Sequence, residues 1–160
     1  KDLIGVPWRL AFELQKRGWI LRSDIIWAKL NPMPESCTDR PTMSHEYIFL
    51  FAKNQRYYYD HESIMERTVG VEYPKRNKRD VWNIKVASYP EAHCATFPME
   101  LITPCIKAGS PEGGLVLDPF MGSGTVAQAA KQLSRKYTGC ELNPDYYKII
   151  NNRLKQQELF

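Results

Sequence analysis

Apolar side chains recur at helical spacing near the start of the chain. Leu10, Ala11 and Leu14 would lie on one face of a helix over residues 2–18. Pro7 suits a first helical turn, where its missing N–H is not needed. The pattern therefore predicts an opening helix over this range.

Two strands are predicted to follow the helix. Residues 19–28 and 45–53 are rich in aromatic and β-branched side chains, which favour strands. Residues 29–44 contain three prolines and predict a long loop. The polar residues 61–80 are interpreted as a mobile connection, and residues 82–97 as an irregular segment.

The pattern changes in the C-terminal half, where helices and strands alternate. The predicted elements are a helix over 98–108 interrupted or kinked near Pro104, a strand over 115–118, a helix over 124–134, a strand over 136–141 and a helix over 144–157. This alternation is typical of a parallel sheet with crossover helices. The fold class expected is therefore α/β.

Composition limits the class of protein without naming it. The 160 residues fit one domain, and 43% hydrophobic content can fill its core. No apolar run reaches the roughly 20 residues that a membrane span needs, so no membrane partner is expected. The four cysteines are scattered and form no Cys-x-x-Cys pair, so we predict free thiols, a cytoplasmic location and no metal site.

The net charge of +4 is only mildly basic, but its distribution is uneven. Lys75, Arg76, Lys78 and Arg79 crowd one short polar segment. A basic cluster of this kind can contact nucleic-acid phosphates. A solvated linker explains it equally well, and both interpretations stay open.

A glycine-rich turn between a predicted strand and a predicted helix is the strongest chemical signal. The strand ends at Asp118, and Gly122 and Gly124 follow before the helix begins. Such a turn lets backbone N–H groups approach a ligand closely. Residues 122–127 also fit the dinucleotide fingerprint G-x-G-x-x-G/A, with Glu141 placed where an acid can hold ribose hydroxyls.

The acid at the strand end argues against a dinucleotide. Asp118 would repel a pyrophosphate, whereas it would attract a ligand carrying an ammonium and a sulfonium. S-adenosylmethionine has both groups, together with a ribose for Glu141 and an adenine for apolar side chains. A nicotinamide-dependent enzyme is the alternative, and ligand binding distinguishes the two.

Four segments along the chain resemble motifs of one family. Residues 118–125 (DPFMGSGT) resemble the cofactor motif of the DNA amino-methyltransferases that modify adenine N6 or cytosine N4. Residues 139–146 (GCELNPDY), followed by Tyr147 and Arg153, resemble the next motif. Residues 93–98 (HCATFP) resemble the segment that closes over the methionine end of the cofactor, and residues 24–46 the region before the target-recognition insert.

The resemblance implies a Rossmann-like S-adenosylmethionine-dependent methyltransferase fold. It also implies a permuted order, with the cofactor motif C-terminal to the catalytic motif, and central strands upstream of Lys1. The cofactor-binding residues expected are Phe97, Asp118, Phe120, Gly122, Ser123, Gly124, Thr125 and Glu141. Weaker candidates for a pocket rim or DNA contact are Trp27, Lys29, Arg40, His45, Glu46, Lys75, Arg76, Lys78 and Arg79.

The family's catalytic tetrapeptide, Asp/Ser/Asn-Pro-Pro-Tyr/Phe, does not occur in these residues. The nearest string is Asn31-Pro32-Met33-Pro34, which fails at its third and fourth positions. The motif is expected upstream of Lys1, so the chain is predicted to be a fragment and catalytic residues are predicted to lie outside it. Pro104-Cys105 resembles the nucleophile dipeptide of cytosine-C5 enzymes, but it lies before the cofactor motif.

Three regions are expected. Residues 1–60 would be the C-terminal part of the catalytic region, 61–92 a linker or short target-recognition region, and 93–160 the cofactor-binding region. The expected function is methyl transfer from S-adenosylmethionine to an exocyclic amine of a flipped base in double-stranded DNA, in a bacterial or phage protein. The alternative is an inactive fragment that binds the cofactor, DNA or both, and a homodimer and a restriction endonuclease partner stay open.

Overall fold

The computed structural model describes residues 2–68, 70, 75–86 and 96–156. The chain divides into two compact units. The first comprises Lys1–Tyr57 and Arg79–Lys85, and the second comprises Tyr58–Lys78 and Val86–Phe160. Within the described residues, no helix is both long and apolar enough to cross a membrane.

The first unit packs one helix on a mixed three-stranded sheet. Its elements are α1 (Val6–Lys16), β1 (Ile20–Lys29), β2 (His45–Ala52) and β5 (Val81–Ile84), with the strands in the order β2-β1-β5. β1 is central because it pairs antiparallel with β2 and parallel with β5. The prediction of a helix and two strands is confirmed, with boundaries shifted by a few residues at most.

Aromatic side chains join the helix to the sheet in this unit. The Trp8 ring of α1 makes edge contacts with Tyr47 and Phe49 of β2, with ring centroids 5.7 and 5.0 Å apart. Ala11, one helical turn further, is fully buried. The small side chain at that position lets the helix approach its neighbours closely.

The second unit contains the alternating helices and strands. Its main elements are α2 (Met99–Gly109), β6 (Leu115–Asp118), α3 (Thr125–Gln132), β7 (Lys136–Gly139) and α4 (Pro144–Gln156). β6 and β7 pair in parallel, with Leu115 opposite Lys136 and Asp118 opposite Gly139. The predicted order of elements and the parallel pairing are both confirmed.

The core of this unit lies between α2 and α3. Ile106, Val126, Ala129 and Ala130 are buried together, and Val116 of β6 packs against them. The alanines present a flat, compact face that lets α3 pack closely on its neighbours. Because β6 leads directly into α3, this packing fixes the direction in which the glycine-rich turn leaves the sheet.

Two parts of the sequence-based prediction differ from the structure. Residues Val81–Ile84 form β5 where an irregular segment was expected, because four residues are too few for periodicity to indicate a strand. A 3₁₀ helix at Glu62–Ile64 and a two-stranded ribbon, β3 (Glu66–Arg67) with β4 (Lys75–Arg76), lie where a connection without regular structure was expected.

The helix around Pro104 also differs from its prediction. α2 runs from Met99 to Gly109 without interruption, although Pro104 lies inside it. A proline removes one backbone donor and crowds the preceding turn. The hydroxyl of Thr103 donates to the Met99 carbonyl oxygen at 2.8 Å, which adds a side-chain bond within the turn before the proline.

Candidate functional site

The glycine-rich turn lies where the carboxyl ends of β6 and β7 meet. The Cys140 N–H donates to the Asp118 carbonyl oxygen at 3.0 Å, and the Met121 N–H donates to the Cys140 carbonyl oxygen at 2.9 Å. These bonds continue the pairing of the two chain segments beyond the last paired residues, Asp118 and Gly139. Carboxyl ends of parallel strands are where α/β folds bind ligands.

Gly139 makes this close approach sterically feasible. A Cβ added there would overlap the Asp118 carbonyl oxygen and the Met121 side chain. Only hydrogen fits at that position, so the two strand ends can meet. The sequence showed Gly139 as the first residue of a motif, but gave no steric reason for it.

The two acids at the site hold backbone N–H groups around the turn. Asp118 Oδ1 accepts a hydrogen bond from the Phe120 N–H at 3.0 Å. Glu141 Oε2 accepts from the Gly122 N–H at 2.6 Å, and its Oε1 accepts from the Asn143 N–H at 2.8 Å. Glu141, which follows β7, is thus bonded directly to the turn that follows β6.

The hydrogen bonds to Glu141 favour its charged form. The backbone N–H of Asn143, followed by those of Gly122 and Leu142, lowers the pKa of the Glu141 carboxyl below its ordinary value of 4.5, against the opposing effect of desolvation. The side chain is therefore ionised at neutral pH. Together with Asp118 it places acidic side chains on both sides of the turn.

Arg153 of α4 holds the turn in place through hydrogen bonds from its guanidinium group. One guanidinium nitrogen donates to the carbonyl and hydroxyl oxygens of Ser123, both at 2.8 Å, and lies 3.3 Å from the Thr125 hydroxyl oxygen. The other terminal nitrogen donates to the Gln128 side-chain oxygen at 2.6 Å. Ser123 and Thr125 are buried, so their hydroxyls face this guanidinium inside the unit.

Large apolar side chains extend from both strand ends. Phe120 is 87% exposed and Leu142 is 98% exposed. Exposed apolar side chains next to polar groups are typical of a ligand site. Leu142 was not among the predicted site residues, although its position directly after Glu141 was a usable signal.

An open groove runs beside the turn. Its volume is about 290 Å³, and it lies between α2 and β6 with Asp118 in its lining. Cys105 lines the same groove, and burial raises the pKa of its thiol to about 11. The thiol is therefore protonated at neutral pH. It donates a hydrogen bond to the Leu101 carbonyl oxygen at 3.5 Å.

The predicted cofactor residues are brought together with one exception. Asp118, Phe120, the 122–125 turn and Glu141 form the continuous hydrogen-bonded cluster above. Phe97 precedes α2 and is partly exposed, and no hydrogen bond or ring contact within the described residues joins it to the turn. Residues 93–95 of the predicted closing segment lie outside the described residues.

Most of the weaker candidates lie in the first unit. Trp27 is buried and donates from its indole nitrogen to the Ile84 carbonyl oxygen at 2.9 Å. Lys29 lies over the Trp27 ring and pairs with Glu46. His45 makes an edge contact with the Tyr47 ring. These side chains share one end of the β1–β2 pair, where Trp27 lies opposite Glu46.

The remaining basic candidates differ in their surroundings. Arg40 pairs with Glu35 at 2.7 Å. Arg76 and Lys78 both pair with Glu66, at 3.3 and 3.9 Å. Lys75 is exposed on β4, and Arg79 belongs to the first unit. The basic cluster is therefore not one uniform patch.

Comparison with known proteins identifies the family. The family model described as DNA methylase, of the N6/N4 methyltransferase type, matches residues 4–152. The chain belongs to this DNA methylase family. It is 54% identical over 158 residues to the type II methyltransferase M.Cfr9I of Citrobacter freundii and 54% identical over 154 residues to M.SmaI of Serratia marcescens.

The chain spans about half the length of these curated relatives. The match to M.Cfr9I covers 99% of this chain and 52% of M.Cfr9I. The match to M.SmaI covers 96% of this chain and 53% of M.SmaI. The predicted family is confirmed by these matches. The relative order of cofactor and catalytic motifs stays a prediction, as do the three predicted regions.

Solved structures confirm the methyltransferase fold of this chain. The M1.HpyAVI complex with S-adenosylmethionine aligns with a TM-score of 0.72 and 26% identity, over 96% of this chain and 71% of that one. The PvuII cytosine-N4-specific DNA methyltransferase aligns with a TM-score of 0.79 and 21% identity, over 96% of this chain and 60% of that one.

Proposed function

We propose that this DNA methylase binds S-adenosylmethionine at the glycine-rich turn. We further propose that the whole protein transfers the methyl group to an exocyclic amine, adenine N6 or cytosine N4, of a base flipped out of double-stranded DNA. The observation that carries the proposal is the bond between Glu141 and the Gly122 N–H. This bond joins Glu141, which follows β7, to the glycine-rich turn that follows the neighbouring parallel strand β6. Asp118 lies at the end of β6, next to the same turn.

The side chains at the turn fit the chemistry of this cofactor. Asp118 would face its positively charged methionine end. Each carboxylate oxygen of Glu141 accepts one backbone N–H and keeps a second lone pair, so both oxygens can accept a ribose hydroxyl. Phe120 and Leu142 are exposed apolar surfaces suited to the adenine ring. Phe97 would supply a further apolar wall.

The relatives support the same assignment. M1.HpyAVI was solved with S-adenosylmethionine, and M.Cfr9I and M.SmaI are named as type II methyltransferases. The cytosine-N4-specific PvuII enzyme is only 21% identical and bears on the fold alone. The choice between adenine and cytosine is therefore left open in the proposal.

The proposed methyl transfer needs side chains that position the cofactor and the target base, rather than side chains that form covalent bonds themselves. S-adenosylmethionine supplies an electrophilic methyl group when bound. Asp118, Glu141 and the turn would orient its two ends, and the exposed apolar residues would exclude water around it. The target amine is engaged in base pairing, so the base must leave the duplex first.

The state of Cys105 favours an amine as the target. Methylation of a ring carbon by a Pro-Cys dipeptide would require a reactive thiolate. Burial raises the Cys105 pKa to about 11, and the residue lies inside α2. Direct transfer to an exocyclic nitrogen needs no such nucleophile.

The catalytic tetrapeptide is absent from these 160 residues. The proposal for cofactor binding therefore concerns this chain, and the proposal for methyl transfer concerns the whole protein. The alternative is an inactive polypeptide that binds the cofactor, DNA or both. A cytoplasmic location, in a bacterial or phage protein, is also proposed, and a homodimer and a restriction endonuclease partner stay open.

Calorimetry on the chain tests cofactor binding. We expect S-adenosylhomocysteine to bind and NAD to give no heat. Glu141→Ala should lower the affinity about tenfold or more, because the ribose hydroxyls lose a charged acceptor. A nicotinamide enzyme is indicated instead if NAD binds and the adenosyl ligand does not.

Methyl transfer is tested separately on the whole protein. Duplex DNA is incubated with radiolabelled S-adenosylmethionine, and the digested nucleosides are separated. Label in N6-methyladenine or N4-methylcytosine supports the proposal and chooses the base. Cofactor binding without any label in DNA supports the inactive alternative.

A further inference from the structure

The β3–β4 ribbon has two faces of very different charge. In this antiparallel pair Glu66 lies opposite Arg76, and Arg67 lies opposite Lys75. Directly opposite residues project from the same face of a ribbon, and consecutive residues project from opposite faces. One face therefore carries Glu66 and Arg76, and the other carries Arg67 and Lys75.

The first face is neutralised internally. Arg76 pairs with one carboxylate oxygen of Glu66 at 3.3 Å, and Lys78 lies 3.9 Å from the other. The Glu66 side chain is mostly buried, with an exposed fraction of 19%. Two of the predicted DNA contacts, Arg76 and Lys78, are thus occupied by an acid of the same ribbon.

Among the described residues, the second face carries two cations and no acid. Arg67 and Lys75 are both exposed, and the described residues give neither an ion pair. Opposite side chains in such a pair have Cβ atoms about 5 Å apart, and like charges there are destabilising. The arrangement is unfavourable for the isolated ribbon, but it fits one anion between two long basic side chains.

We propose that Arg67 and Lys75 together hold a backbone phosphate of duplex DNA. The inference rests on the proposed function, which supplies DNA as the polyanionic partner. Arg67 can present two N–H donors to a phosphate and Lys75 adds a point charge. A phosphate contact fixes the position of a protein on DNA and reads no sequence. Arg67 was not among the residues predicted from the sequence.

The test measures DNA affinity against salt concentration. The chain, its Arg67→Gln/Lys75→Gln variant and a control of equal charge, Lys136→Gln/Lys148→Gln, are titrated into a labelled duplex of arbitrary sequence. The control lysines are exposed on β7 and α4. For the ribbon variant we expect about three- to tenfold weaker binding and a salt slope reduced by about 0.9, the value for one phosphate.

Thermal unfolding separates binding from a structural role. Removing two facing cations should leave the unfolding temperature of the ribbon variant unchanged or raised. The exchange Arg67→Lys/Lys75→Arg keeps both charges and should retain most of the affinity. A ribbon variant that binds DNA with the original slope, or one that loses no more than the control, overturns the inference.

The outcome also distinguishes this inference from the proposed function. If the chain binds DNA and the ribbon variant binds equally well, only the phosphate contact is wrong. If the chain binds no DNA and the whole protein methylates none, the proposed function fails and the contact fails with it.

Discussion

At the scale of single residues, the site depends on a few side chains that hold the glycine-rich turn in place. Arg153 of α4 binds Ser123, Thr125 and Gln128, which are spread over the turn and the first part of α3. A planar guanidinium can reach several acceptors at once, whereas an ammonium cannot reproduce that geometry. Arg153 is therefore a positioning residue for the turn.

Arg153→Lys is expected to lower both stability and ligand affinity. Loss of the bonds to partly buried acceptors should reduce the unfolding free energy by about 1–3 kcal/mol. Calorimetry should show weaker binding of S-adenosylhomocysteine, because the turn is no longer fixed.

The matched control is Arg135→Lys in the same unit. Arg135 donates to the carbonyl oxygen of Ser110 at 2.9 Å and to that of Leu133, at the ends of α2 and α3 rather than at the turn. We expect it to lose stability and to keep its ligand affinity. Equal losses of affinity in both variants would show that Arg153 acts only through general stability.

Gly124 is constrained by its backbone and by its neighbour. Its φ is +81°, and an added Cβ would lie 3.1 Å from the Ile150 side chain. Gly124→Ala should therefore combine a left-handed backbone cost of about 1–2 kcal/mol with a steric cost. Gly113, with φ +73° and open space around it, is the control for the backbone alone. Denaturant unfolding that gives both variants the same loss would exclude a steric role for Ile150.

Glu141 gives a pH-dependent contribution to stability. Its pKa is lowered on folding, so its contribution is fully present above the ordinary value of 4.5 and is lost as the pH falls through the folded pKa. Glu141→Gln should unfold at a lower temperature than the unaltered chain at pH 7, because an amide offers only one acceptor for two N–H donors.

The difference between the two proteins should shrink as the pH falls below 4.5. Glu62→Gln is the control, because the Glu62 carboxylate accepts no hydrogen bond within the described residues. A difference that is the same at pH 7 and at low pH would indicate packing rather than charge.

At the scale of elements, β1 organises the first unit because it pairs on both edges. The Trp27 indole strengthens one of those edges through its bond to the Ile84 carbonyl oxygen of β5. β5 has only four residues, so a side-chain bond is a substantial part of what holds it. Such a bond matters most where the backbone pairing is short.

Trp27→Phe should lower the unfolding free energy by about 1 kcal/mol or more. The Ile84 carbonyl oxygen loses its shorter hydrogen bond and keeps only the 3.4 Å bond from the Leu30 N–H, and the smaller ring leaves space. Trp19→Phe is the control, because its ring is only partly buried and lies under Lys53. Urea unfolding followed by circular dichroism measures both. A loss no greater for Trp27 than for Trp19 would contradict this account of β5.

At the scale of the whole molecule, one face of the β6–β7 sheet is open within the described residues. Leu115 and Leu117 are each 64% exposed, whereas Val116 between them packs on the α2–α3 core. Parallel sheets are normally covered on both faces.

Leu115→Thr/Leu117→Thr should reduce binding of a hydrophobic dye and any self-association, with little loss of unfolding temperature. Val116→Thr, on the opposite face of the same strand, should lower stability by about 1–2 kcal/mol because it buries a hydroxyl. Dye fluorescence, sedimentation and thermal unfolding are compared. A large loss of stability in the double variant would show that the leucines are already covered.

The sequence by itself determined the order of elements in the second unit and the position of the glycine-rich turn. Alternating patterns separated by glycine are local signals, so residues 115–141 could be assigned before any packing was known. The tertiary structure decided what lies far apart in sequence: Arg153 on the turn, Glu141 bonded to Gly122, and β5 paired with β1.

The same distinction explains the ribbon and the candidates of the first unit. A basic cluster in the sequence is a sum of charges, whereas the fold assigns Glu66 to neutralise Arg76 and leaves Arg67 facing Lys75. Trp27 could not be distinguished as core or rim until its strand had neighbours on both sides. Local propensity fixes elements, but long-range pairing decides which side chains meet.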